Sequence, residues 1–167
     1  MKFKFREGNI EDKKQLKELA LVSYSQFEKV LTSESWNELY GNLKSESSYS
    51  NILEISKCFV CEIENKIIGV AYFVPSGNPT EIYDSSWSYI RMVGVNPKYR
   101  GNGIGKRLTQ NCIEYARQSN EHIITLHTSE FMDSARYIYE KLGFKRGKEL
   151  KPIFGKKYWL YQIELNK

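Results

Sequence analysis

The amino-acid sequence predicts an α/β (α+β) fold, a mixed sheet of about seven strands with flanking helices, and three observations predict it. Apolar residues recur at helical spacing up to residue 43 and switch to strand-like runs from residue 58. Between residues 87 and 127 a strand, a glycine-rich turn, a helix and another strand follow one another, the makings of a right-handed βαβ unit. The chain then closes on an alternating segment, Trp159, Tyr161, Ile163 and Leu165. Its 167 residues suit one domain, residues 1–167, large enough to bury about two-thirds of its unfolded surface.

Each element has its own local reason. Residues 2–6 alternate charge with Phe3 and Phe5, a short strand ended by Gly8, and Asn9 can begin the next element, a helix. Residues 10–24 place Leu16, Leu19, Ala20 and Tyr24 at helical spacing. Residues 33–43 predict a second helix, capped by Ser33 or Thr32, with Trp36, Leu39, Tyr40 and Leu43 on one face. Polar residues 45–51 read as a loop. Residues 58–63 and 66–74 are β-rich around a turn at Glu64 and Asn65, and 87–95 is a strand stopped by Asn96 and Pro97. Ile104, Leu108, Cys112, Tyr115 and Ala116 form the stripe of a long helix, and residues 122–127 a nearly continuous apolar strand. Ala135, Ile138, Tyr139 and Leu142 mark a last helix, which Gly143 should end. Strands from residue 144 onward and over 158–165 complete the sheet.

Composition narrows the function classes. The longest apolar runs, such as residues 69–74, fall far short of the ~20 needed to cross a bilayer. The N-terminus turns charged before a signal-peptide core can form, so a cytoplasmic location is expected. Three cysteines argue against a disulfide framework. Charge is divided: residues 1–140 carry net −1 and residues 141–167 net +6, a basic end that is either a solvated face or a surface for an anion. Nucleic acid is an unfavoured partner, because no recognised reader motif accompanies that charge.

The chemistry concentrates in Arg100-Gly101-Asn102-Gly103-Ile104-Gly105, between a strand and a long helix. Glycines at alternate positions let the backbone turn so that several N–H groups share one concavity at a helix N-terminus, an anion cradle. Lys98, Arg100, Lys106 and Arg107 should raise the local potential, and a pyrophosphate is the ligand this cradle suits best. It is neither of two common nucleotide motifs. A Walker loop needs Gly where Arg100 stands and Ser or Thr where Arg107 stands, and a Rossmann turn needs Gly at Lys106.

The run Val93-Gly94-Val95-Asn96-Pro97-Lys98-Tyr99-Arg100-Gly101-Asn102-Gly103-Ile104-Gly105 resembles the acyl-CoA signature of the GNAT superfamily of N-acetyltransferases, and Ala135 to Phe144 (ARYIYEKLGF) resembles the family's next helix. The likeness covers residues 86–146 well and the flanks by element order. It implies a strongly twisted GNAT-like sheet whose fourth and fifth strands splay apart to admit acetyl-CoA as cosubstrate, with no metal. It implies too that main chain at Val93, Gly94 and Val95 pairs with the pantetheine arm, while Arg100, Gly101, Asn102, Gly103, Ile104, Gly105 and Lys106 hold the diphosphate. Met132 departs from the pattern, since many relatives carry Asn seven residues before the helix tyrosine.

The resemblance makes Tyr139 the acid that protonates the departing thiolate, with Tyr137 the nearby control; by periodicity alone Tyr139 is a core residue. The expected reaction is acetyl transfer to a primary amine of a small molecule or peptide, and the alternative is a catalytically silent acyl-CoA-binding sensor. No base stands out among Glu54, Glu62, Glu81 and Asp84, of which Glu81 and Asp84 rank first because they precede the CoA strand. Arg91, two residues before Val93 and expected on the same strand face, could instead bind an anionic group of the acceptor. Tyr24, Phe27, Trp36, Tyr40 and Tyr83 are candidate liners of the acceptor pocket, expected between the first two helices, the 75–84 loop and the last strands. Oligomeric state stays open, a homodimer included. Cys58 and Cys61, three apart on a strand, face opposite sides, as do His122 and His127, so neither pair predicts a metal site.

Overall fold

The structure, a computed structural model, describes residues 2–165. Seven strands, β1 (Lys4–Glu7), β2 (Lys57–Ile63), β3 (Lys66–Val74), β4 (Ser88–Val95), β5 (Ile123–Ser129), β6 (Lys145–Glu149) and β7 (Tyr158–Glu164), form one sheet in the order β1-β2-β3-β4-β5-β7-β6. Only β4 and β5 run parallel; the other neighbours are antiparallel. The helices are α1 (Lys13–Tyr24), α2 (Ser33–Lys44), α3 (Glu46–Ile55), α4 (Ile104–Gln118) and α5 (Asp133–Lys141).

One expected loop is a helix. Residues 45–51 lie at the start of α3, where the serines obscure a short apolar stripe of Tyr49, Ile52 and Leu53. Tyr49 is buried and its hydroxyl donates to the Leu43 carbonyl at 2.6 Å, joining α3 to the end of α2. The start of the first helix also differs. Asn9 does cap, but it caps a 3-10 turn over Ile10–Asp12, and the regular helix begins at Lys13.

Layers arise from alternation in the strands. On one face Leu16, Leu19, Ala20, Leu43 and Tyr49 pack on Val60, Val70 and Tyr72; on the other Ile104, Leu108, Cys112 and Ala116 pack on Ile68, Phe73, Ile124 and Leu126. Cys58 belongs to the first face and Cys61 to the second, as the strand period requires, and both are free thiols. The stripe expected on α2 is only partly used. Leu43 is buried, whereas Trp36 and Tyr40 lie against each other on the outer side, ring centroids 5.6 Å apart.

Two features set β4 apart from a regular strand. Its register with β5 holds only at Ser88↔Ile124 and Tyr89↔Thr125, after which the two strands part, as the splayed sheet expected from the resemblance requires. At the apex Ser88 Oγ donates to the Ile123 carbonyl at 2.7 Å and Thr125 Oγ1 to the Ser88 carbonyl at 2.9 Å. The second feature is a bulge. Tyr72 faces Arg91 and Val70 faces Gly94, so Met92 and Val93 together oppose Ala71, and Met92 adopts φ +54° to make room. The inserted residue changes the parity of the strand. Val93 and Val95 pack on the α4 side, while Met92 packs on the α1 side, the side of Tyr72, which Arg91 faces. Arg91 therefore does not share Val93's face as a regular strand would have it.

Beyond the bulge, α1 comes so near β4 that Gly94 has no space for a side chain: a Cβ there would lie 2.9 Å from Ser23 Oγ. We expect Gly94→Ala to lower unfolding free energy by about 1–3 kcal/mol, the usual cost of overpacking. Adding Ser23→Ala should return most of that loss in a denaturant titration, because the obstructing atom is then gone.

Candidate active site

The parting of β4 and β5 opens a cleft of about 1430 Å³ that reaches both sides of the sheet. One side is built for an anion. Gly101 and Gly103 have φ of +86° and +73°, left-handed values that glycine adopts freely, and they turn the chain into α4 with Gly103 as its N-cap. Among the described residues, the N–H groups of Gly101, Asn102, Gly103, Ile104, Gly105 and Lys106 have no acceptor; the first helical bond is Arg107 N–H to the Gly103 carbonyl, at 3.0 Å. Such a run of free donors at the positive end of a 15-residue helix has the donor geometry to accept phosphate oxygens. The main chain of Val93, Gly94 and Val95 continues from it along the cleft.

The expected ring of four cations is smaller. Arg107 lies over the Phe5 ring at 4.7 Å, beside β1. Arg100 donates to the Ser23 carbonyl at 3.0 Å and to Gln26 Oε1 at 3.2 Å, and its own N–H turns back to the Pro97 carbonyl at 3.4 Å. Arg100 thus ties the glycine turn to the end of α1, leaving Lys98 and Lys106 as the charges beside the free N–H groups that no other described residue engages. Asn102 does not line the cleft; its side-chain amide donates to the Tyr99 carbonyl at 2.8 Å and stiffens the turn.

Tyr139 reaches the cleft from α5, with 8% of its surface exposed, and its hydroxyl has no hydrogen-bond partner among the described residues. Burial pushes its pKa well above the ordinary phenol value, so it holds its proton at neutral pH. Tyr137, at 64% exposure, stands at the rim of the cleft with the Lys141 ammonium over its ring. Met132, where relatives carry Asn, sits at the start of α5 and accepts a bond from Thr128 Oγ1 at 3.4 Å.

The other side of the cleft is aromatic. Tyr24, Phe27 and Tyr83 line it, joined by Phe131 and Tyr158, whereas Trp36 and Tyr40 do not. Its polar centre is a pair that sequence reasoning missed. Tyr83 Oη and His127 Nδ1 are 2.5 Å apart, and Tyr83 stacks on Tyr89 with ring centroids at 4.0 Å. The strand parity that removed His127 as a metal ligand also puts it on this face, the signal that could have found it. Burial, with a smaller contribution from the Arg91 charge, lowers His127 to about 4. Among the expected bases, Glu62 pairs with Arg6 at 3.0 Å, and Asp84 accepts from the Ser86 N–H at 3.0 Å as a turn cap outside the cleft. Glu81 reaches the cleft but is exposed. Among the described residues no group of His, Cys, Asp and Glu could hold a metal, and no helix is long and apolar enough to cross a membrane.

A mixed sheet split between a parallel pair of strands, with a glycine turn feeding a helix at the split, is the arrangement that the resemblance to the GNAT superfamily implies. Residues 16–144 match the profile of the acetyltransferase (GNAT) family, and the chain belongs to that family. It is 31% identical over 103 residues to N-acetyltransferase 8B of Homo sapiens, covering 61% of this chain and 44% of that protein. It is 29% identical over 146 residues to the protein named "Probable N-acetyltransferase camello" of Xenopus tropicalis, covering 80% and 64%. The chain thus spans about half the length of these curated relatives. Among solved structures, the PaiA N-acetyltransferase of Thermoplasma acidophilum in complex with coenzyme A aligns with a TM-score of 0.79 at 17% identity over 98% of this chain and 99% of that one. The ribosomal-protein-S18-alanine N-acetyltransferase of Escherichia coli aligns at 0.76 and 13% identity over 99% and 96%. These likenesses bear on the fold.

The half-buried imidazole of His127 makes folding pH-dependent. With His127 at about 4 in the folded chain and an ordinary value near 6.5 in the unfolded one, protons bind the unfolded state more tightly between those values. Stability is therefore lost as pH falls from about 6.5 to about 4, by about 3 kcal/mol in all. Unfolding titrations at pH 7 and pH 4.5 should reveal that loss, and His127→Gln should shrink it.

Proposed function

We propose that the chain is an acetyl-CoA-dependent N-acetyltransferase that moves an acetyl group to a primary amine of a small molecule or peptide by direct attack. The observation that carries this reading is the run of N–H groups from Gly101 to Lys106, unpaired among the described residues, adjoining an opened strand edge in the cleft that Tyr139 also lines, its hydroxyl without a partner among the described residues. Bound acetyl-CoA supplies the activated acetyl thioester. Gly101, Gly103, Ile104, Gly105 and Lys106 hold its diphosphate, and the main chain of Val93 to Val95 holds the extended arm. An N–H of Val93 or its neighbour offsets charge developing on the attacked carbonyl oxygen, where one donor contributes about 3 kcal/mol.

Tyr139 Oη holds the proton for the sulfur that leaves. A phenol raised by burial is a weak acid, but a thiolate forming in the same dry cleft becomes a stronger base for the same reason, so the transfer stays matched.

Removing the acceptor's own proton is a different problem. An ammonium near pKa 10.4 is neutral in about one part in two thousand at pH 7, a cost of about 4–5 kcal/mol. His127, at about 4, would take that proton only with a penalty near 9 kcal/mol, so it serves as a neutral hydrogen-bonding wall, not as the base. The Arg91 charge disfavours a second cation in the cleft, and the amine reacts after losing its proton to water.

Tyr139→Phe is expected to lower kcat about 100-fold, within the usual range for a lost general acid, with CoA affinity intact in a calorimetric titration. Gly103→Val, at a left-handed position that a β-branched residue resists, should weaken CoA instead. CoA release from acetyl-CoA in the presence of a panel of amines tests the reading as a whole. Tight CoA binding with no amine-dependent release would mark a sensor.

A further inference from the structure

We propose that the acceptor amine also carries a carboxylate, and that Arg91, with the Tyr24 hydroxyl beside it, is the group that binds it. The proposal rests on the acetyltransferase reading and names the acceptor class.

Arg91 sits on an inner strand of the sheet, half-buried, and lines the cleft. A guanidinium offers five N–H donors, yet among the described residues Arg91 makes no hydrogen bond and no ion pair. The other cleft-lining charges are differently placed. Arg100 is bound to Ser23 and Gln26, Lys106 is exposed at the first turn of α4, Asp133 is paired with Arg136, and Glu81 is exposed on its loop. Around Arg91 are neutral groups, Tyr24, Tyr83, Tyr89 and His127, each of which feels its charge.

Two of these tyrosines are already committed, Tyr83 to His127 and Tyr89 to the Asn78 carbonyl at 2.8 Å. The Tyr24 hydroxyl has no partner among the described residues. A planar fork with one free hydroxyl matches a carboxylate, whose two oxygens take the parallel N–H bonds. A single cation in a neutral wall also balances one negative charge, not the two of a phosphate. The bulge at Met92 and Val93 puts this fork on the face opposite Val93, across the sheet from the glycine turn. One residue, the bulged Met92, lies between Arg91 and Val93, at most about 7 Å along the strand. That spacing suits a small amino acid, its nitrogen directed through the split and its carboxylate held behind.

Initial rates with glycine, β-alanine and 4-aminobutanoate, each against its own amide, with 2-aminoethyl phosphate alongside, test the assignment. At least one acid should exceed its amide about 30-fold or more in kcat/KM, chiefly through KM, the scale expected for a desolvated charge pair. In Arg91→Gln that ratio should collapse toward one, and Arg91→Lys should recover part of it. A CoA titration of each variant reports an intact fold. Amides that equal their acids, a ratio unchanged in Arg91→Gln, or a preference for the phosphate would overturn the proposal. If acetyl-CoA binds but no amine is turned over, the acetyltransferase reading fails by itself. Calorimetry of the CoA-loaded protein with the same three acids then decides the Arg91 assignment: heat with the native protein and none with Arg91→Gln supports it, and no heat with either overturns it.

Discussion

The site depends on a sheet that is held together at one point and open beyond it. Parallel strands in an open sheet normally pair along their length, and the unpaired N–H and C=O groups of a half-zipped pair need other partners. Here two buried hydroxyls, Ser88 Oγ and Thr125 Oγ1, exchange bonds with main-chain carbonyls across the apex and secure β4 to β5 there. From Ile90 onward β4 has a neighbour on the β3 side alone, so its other edge can receive an extended ligand by strand addition. The glycine turn would be an isolated anion site without that opening. Beside it, the turn becomes the end of a channel.

The bulge gives that channel two unlike walls. One extra residue at Met92 turns Val93 and Val95 toward α4 and leaves Arg91 and Met92 on the α1 side. In the proposed function, cosubstrate chemistry and acceptor chemistry are thereby divided between the two faces of one strand. The cost is a left-handed methionine, on the order of 1 kcal/mol, and flanking strand pairing and packing on both faces hold it in place. Proton chemistry is divided in a similar way. Burial raises Tyr139 and lowers His127, so both side chains are neutral at pH 7, the one proposed as a proton donor and the other as a hydrogen-bonding wall.

Most of the sheet was legible in the sequence because its strands and helices satisfy local rules. Alternation over 158–165, the turn at Glu64 and Asn65 with φ of 50° and 66°, and Gly143 at φ +105° after α5 each need only their own neighbours. The helix over Glu46–Ile55 escaped because its serines are solvent-facing and its burial rests on three residues that α1, α2 and the sheet complete. Of the site, the glycine turn and Tyr139 could be found, since the turn depends on glycines at fixed offsets and the tyrosine on a contiguous motif. Arg100 and Arg107 looked like ligand cations because sequence proximity does not say which way a long side chain extends.

The sequence by itself determined the order of elements other than the helix over Glu46–Ile55, the left-handed turn at Gly101 and Gly103, and a helix ready to meet an anion with its N-terminus, because these are short-range consequences of backbone sterics and apolar period. Only the tertiary structure decided which face of β4 Arg91 occupies, and that Tyr83 and His127, 44 positions apart, meet at 2.5 Å. Both depend on register: one inserted residue reverses a strand's parity, and pairing between distant segments is set by the packing of the whole sheet, which no local pattern encodes.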